Sequence, residues 1–248
     1  MFAIHPIFFL NFSTSVPMNV TFFIHRDGAW IMLMLGESVL SLLIVQAQSG
    51  NFYKAFFSGV FSIILLELLH FRSQPHDASG HAYRRSMGGS FAFTILNSIY
   101  SAALIVLGTS YKMIQYEYVY EAEYSSTYRM LAAASGPPIA DTKERQQRIA
   151  HFYCFSLALV WFCLDNMTLA HRGIQHNVDR CTKSNKPHLH FLGISMFWTR
   201  LGLIVLFGTF GFYITEPMLL SFLGLIGIMV QIGLRILGSY FFFQSDNE

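Results

Sequence analysis

The sequence predicts an all-α fold, a polytopic transmembrane helical bundle of about six spans in a three-plus-three arrangement. Three observations carry this expectation. Only 12% of the residues are charged, against about 25% in an ordinary soluble domain. Hydrophobic residues make up 53% of the chain, and the remaining charges are bunched between long apolar runs. Each run approaches the length of about 20 residues that an α-helix needs to cross a hydrocarbon core.

The 248 residues form one integral membrane domain on this reading. The net charge of +2 is spread without any dense basic stripe, which excludes a nucleic-acid surface. Cys154 and Cys163 share one apolar run and Cys181 lies in a polar stretch. No Cys-x-x-Cys spacing results, so neither a zinc knuckle nor a dithiol pair is indicated, and no cofactor is expected.

In chain order, residues 1–28 have neither a basic n-region nor a small-residue cleavage site. They read as an interfacial N-terminal segment rather than a secretory signal. The first expected span, 29–47, carries Glu37 near its middle, a position that costs about 3 kcal/mol unless the carboxyl is paired or protonated. Spans 53–71 and 89–111 follow. A long polar loop, 112–149, then holds Glu117, Glu121, Glu123, the break Ser135-Gly136-Pro137-Pro138, and a basic stretch from Lys143 to Arg148. Spans 150–170, 191–213 and 218–242 complete the second half, with Pro217 at a helix start, where its missing N–H does no harm. A three-plus-three division invites comparison with the inverted repeats of transporters, although the halves share no convincing sequence similarity.

Orientation follows the loop cations. Arg26, Arg72, Arg84, Arg85, Arg172, Arg180, Lys183 and Lys186 all fall on the side of the termini. The positive-inside rule places both termini in the cytoplasm.

Inside the spans, Glu37 and Arg200 fall near the midplane, with Glu67, Asp165 and Arg235 nearer the side of the termini. Three acids face two bases, which leaves one carboxylate to be neutralised by a proton or a cation. The expected ion or proton pathway is therefore Glu37, Ser41, Asn97, Asp165 and Arg200, with Glu37 paired to Arg200. The competing reading is a buried ion pair that only fixes helix packing. Glu67 and Arg235, close to helix ends, are expected to snorkel to the interface. Ser221, Gly224, Gly227, Gln231 and Arg235 recur at helical spacing, a stripe along which helices can approach closely.

Histidines give the alternative. His76, His81, His171, His176, His188 and His190 cluster on the side of the termini. Several neutral imidazoles could hold metal in a membrane enzyme of desaturase or hydroxylase type. Those enzymes require His-His doublets, which this chain lacks. Arg72, Arg84 and Arg85 flank the stretch 71–86 and suit anionic lipid headgroups. The expected partners are the lipid bilayer and such headgroups; a second copy of the chain is admitted, and nucleic acid is not. The sequons at Asn11, Asn19 and Asn166 read as chance matches on the wrong side of, or within, the membrane.

The run HRDGAWIMLMLGESVLSLLIV, 25–45, resembles the low temperature requirement A family of membrane proteins. Arg26, Gly28, Leu35, Gly36, Glu37 and Ser38 match its pattern, and His25 stands where that pattern has Glu. The stretch HFRSQPHDASGHAYRRS, 70–86, looks like the eukaryotic branch. The resemblance implies a multi-pass membrane protein without an established reaction. It also implies that the chain corresponds to the C-terminal part of a longer pattern, because members carry further spans upstream of the motif. The functional expectation is transport or sensing of a small ion or proton, followed by the His-rich metalloenzyme and a non-catalytic membrane scaffold.

Overall fold

The computed structural model describes residues 19–45, 50–75, 80–85, 87–131, 139–171 and 187–246. These residues form seven helices: α1 Val20–Leu43, α2 Gly50–Ser73, α3 Ala82–Arg85, α4 Met87–Leu131, α5 Ile139–Ala170, α6 Pro187–Tyr213 and α7 Pro217–Asp246. No strand occurs among the described residues. The expected all-α bundle is what forms.

Among the described residues five segments are long and apolar enough to cross a membrane: Gly50–Ser73, Gly88–Glu117, Lys143–Ala170, Ser195–Tyr213 and Pro217–Leu237. The chain is a multi-pass membrane protein. The opening helix, expected as a sixth span over 29–47, begins earlier, at Val20, and includes Arg26, Asp27 and Glu37. Those charges keep it out of the apolar class. Asn19 caps it, its Oδ1 accepting from the Phe22 N–H at 3.2 Å, so this asparagine has a local role that the sequon reading missed.

The polar loop expected over 112–149 is mostly helix. α4 runs on to Leu131 and α5 starts at Ile139. Neither 112–131 nor 139–149 contains a Gly or Pro, so nothing in those two stretches stops a helix. Only the neighbourhood of the Ser135–Pro138 break lies outside the described residues. Arg145 of α5 pairs with the buried carboxylate of Glu117 on α4, tying the two extensions together.

Packing explains why these helices hold. α4 and α5 lie against each other at the centre, α1 covers α4, α6 covers α5, and α7 packs on α2 and α6. Helices from both halves therefore interleave. Tyr100, Leu104 and Tyr111 of α4 meet Tyr153, Leu157 and Trp161 of α5 in a core that also takes in Leu42 and Leu66. The Tyr111 and Tyr153 hydroxyls bond to each other at 3.0 Å, which satisfies both in an apolar setting. The small-residue stripe on α7 accepts bulky neighbours: a Cβ at Gly227 would meet the Trp161 ring at 2.5 Å. On the outside, Phe57, Phe61, Ile64, Phe155, Phe162, Val205 and Leu206 are exposed, an apolar surface suited to lipid tails.

Candidate functional site

α1 presents Ile31, Leu35, Ser38 and Leu42 to the bundle, a spacing of three and four that defines one helical face. Glu37 precedes Ser38 by one residue and is turned about 100° away. Its side chain is exposed on the outside of the bundle. The expected Glu37–Arg200 pair does not form, because the inward stripe of α1 is set by its apolar residues and not by its acid. Ser41, one turn on, donates to the Gly108 carbonyl at 3.1 Å and the Ser38 carbonyl at 2.7 Å. It fastens α1 to α4 and meets no charged group in those bonds.

Arg200 finds Asp165 instead. The Asp165 Oδ1 accepts from Arg200 Nη1 at 3.2 Å and from Arg235 Nη2 at 2.8 Å. One carboxylate on α5 thus holds guanidiniums from α6 and α7. The Arg235 side chain is 9% exposed, so the expected snorkelling is wrong: with a carboxylate on a facing helix, pairing inward replaces reaching outward. This centre has one positive charge more than negative. Glu67, on α2, is half-buried and makes no bond to it.

A mostly apolar cavity of about 250 Å³ opens beside the first turns of α1. Asp27, His70, His81 and Asn97 line it together with Met32, Phe71 and Phe93. Tyr83 donates to Asp27 Oδ2 at 2.7 Å. Burial pushes the Asp27 carboxyl above its ordinary range, against the opposing pull of that hydrogen bond. Asn97 is 9% exposed, and its side-chain oxygen and the His70 Nδ1 are sealed atoms with no hydrogen-bond partner among the described residues. Among the described residues the lining has no Arg or Lys. Asn97 therefore lines this cavity and does not lie alongside Glu37.

Behind the cavity the imidazoles of His81 and His171 lie 4.4 Å apart between ring centres, both against Phe93. His171 Nδ1 accepts from the Ala82 N–H at 3.1 Å, and His81 Nδ1 from the Tyr83 N–H at 3.3 Å. Each Nδ1 must be unprotonated to accept, which fixes neutral rings with the proton on Nε2. Burial accordingly lowers His81 to about 4, and burial with the neighbouring imidazoles lowers His171 to about 3. His70 stacks on Tyr100 at 5.4 Å, and Arg235 is within electrostatic reach of both. The cavity and the Asp165 centre are therefore neighbours through His70.

Among the described residues no three His, Cys, Asp or Glu side chains are placed to hold a metal ion. His76 and His176 lie outside the described residues, as do the side chains of His188 and His190. Of the headgroup candidates, Arg72 and Arg84 are exposed, and the Arg85 side chain lies outside the description. Sequence reasoning missed Asp27, Tyr83 and His70 as site residues. The available signal was Asp27 itself, an acid two residues ahead of the first expected span. No protein-family model matches the chain, and no curated protein or solved structure does either.

Proposed function

We propose that this membrane protein binds a small ion at the cavity beside Asp27 and responds to it, as a sensor rather than a conducting pore. The observation that carries the reading is the half-buried Asp27 carboxyl, which lines the cavity, accepts from the Tyr83 hydroxyl and pairs with no cation among the described residues. A carboxylate in such a place attracts a cation or a proton. The Asp165 centre just beyond it has an excess positive charge, and a like charge at that depth repels a cation instead of passing it on. Occupancy at Asp27 acts on α1 directly, and through Tyr83 on the segment that ends α2 and begins α4. That linkage gives the bundle a way to register the ion.

Arg26, Arg72 and Arg84 are exposed and lie close in sequence to the cavity residues Asp27, Phe71 and His81, and the positive-inside rule favours a cytoplasmic cavity. The likeness of 25–45 to the low temperature requirement A family fits a membrane protein of this kind, and we take membership of that family as part of the proposal. The test is reconstitution into liposomes, following tryptophan fluorescence and an ion-reporting dye together. Added cation or acid is expected to change the fluorescence saturably with no flux above empty liposomes, and Asp27→Asn to abolish the change. A response unaltered in that variant contradicts the reading.

A further inference from the structure

We infer that the outer face of α1 docks a transmembrane helix of another polypeptide, one that carries a Lys or Arg at mid-depth opposite Glu37. Three bonds fix the depth. Trp30 Nε1 donates to Ser101 Oγ, Ser38 Oγ to the Leu104 carbonyl and Ser41 Oγ to the Gly108 carbonyl, each at 3.1 Å. The partners advance together along both chains, so α1 runs parallel to α4. Glu37, next to Ser38, is therefore level with Leu104, near the middle of the apolar segment Gly88–Glu117. That level is about 20 Å from the nearer end of the segment at about 1.5 Å per residue, too deep for a glutamate to reach either interface. The Glu37 side chain is nevertheless exposed, and no described residue gives it a hydrogen bond or an ion pair. A carboxylate facing lipid at mid-depth is costly unless a counter-charge meets it.

The surroundings of the acid suit a helix. Leu33, Leu40 and Ile44 are exposed and stand with Glu37 at alternating steps of four and three, the spacing of a helix–helix seam. Gly36 is exposed, and a Cβ built on it meets nothing within 4 Å. A second backbone can approach there closely enough to seat its cation on the carboxylate. The buried stripe of Ile31, Leu35, Ser38 and Leu42 lies on the opposite side of α1, so docking leaves the bundle undisturbed. Charge selects the partner. A second copy of this chain would set carboxylate against carboxylate. Its described cations deepest in the spans, Arg200 and Arg235, are bonded to Asp165, and Lys54, Lys112 and Arg148 lie near span ends. The complement to Glu37 therefore comes from a different helix, and opposite charges attract more strongly in hydrocarbon than in water.

The probe is a synthetic polyleucine transmembrane peptide with one central Lys, compared with the same peptide carrying Leu in its place. Donor-labelled full-length protein and acceptor-labelled peptide are combined in phosphatidylcholine liposomes, and energy transfer is followed as the peptide-to-lipid ratio rises. The Lys peptide is expected to bind saturably and about tenfold or more tighter than the Leu peptide, the scale of a strong polar contact between membrane helices. Glu37→Gln is expected to remove that preference. Gly36→Ile, at a position with open space around it, is expected to weaken binding of the Lys peptide several-fold. Circular dichroism confirms that both variants fold. Equal binding of the two peptides, or a preference that persists in Glu37→Gln, overturns the inference. Energy transfer between donor- and acceptor-labelled copies of the protein that is lost in Glu37→Gln also overturns it, and gives the face to a second copy.

Discussion

Replacing Asp165 with Asn keeps the shape of the side chain and removes the only negative charge bonded to Arg200 and Arg235 among the described residues. Both guanidinium contacts converge on one oxygen, at 3.2 and 2.8 Å, and the three side chains are 10%, 18% and 9% exposed. Each attraction is about 4 kcal/mol for charges about 4 Å apart at an effective dielectric of about 20. The repulsion between the two arginines and the desolvation already incurred offset part of the sum. Breaking a buried pair by removing one partner costs about 3–5 kcal/mol, and that is the expected loss here. Unfolding by sodium dodecyl sulfate in mixed micelles, followed by tryptophan fluorescence, measures it. Adding Arg235→Gln to the Asn variant should recover part of the loss, because the deeper unpaired charge goes with it. A loss below about 1 kcal/mol in the single variant, or no recovery in the double, would refute the idea that Asp165 neutralises both cations.

Three further outcomes follow from the geometry. Glu37→Gln should change stability by no more than about 0.5 kcal/mol in the same assay, as for other exposed positions. Gly108→Ala places a Cβ 2.8 Å from Ser38 Oγ and 3.0 Å from Ser38 Cα; backbone cannot step aside, so a loss of about 1–3 kcal/mol and a lower Tm are expected. Acid should destabilise the fold through His81 and His171. Their folded values, about 4 and about 3, lie below the ordinary 6.5, so the unfolded chain binds more protons in between and stability falls as pH drops from about 6.5 towards 4. His81→Gln with His171→Gln should flatten that slope in thermal scans.

The class of the protein was plain from the sequence because bilayer length and missing charge are properties of whole segments. The helix ends were less so. The polar composition of 112–149 suggests a loop, whereas 112–131 and 139–149, free of Gly and Pro, continue α4 and α5 beyond the apolar core. The site was half legible. Asp165 and Arg200 meet because acids and bases in apolar helices seek each other, but which acid meets which base depends on rotation. Glu37 lies about 100° from its helix's buried stripe, and Asp165 lies on a face that meets both α6 and α7. The stripe at 31, 35, 38 and 42 was available in the sequence and would have turned Glu37 outward. The cavity was not readable, since Asp27, His70, His81 and Asn97 come from three helices and a connection, a closeness that only tertiary packing creates.

The most direct comparison is the ion response of three proteins prepared alike: the unaltered chain, Asp27→Asn and Glu37→Gln, each titrated by tryptophan fluorescence in liposomes. An ion site inside the bundle predicts equal responses from the unaltered chain and Glu37→Gln, and none from Asp27→Asn. A response that survives in Asp27→Asn and disappears in Glu37→Gln would move the site to the outer face of α1 and contradict the account.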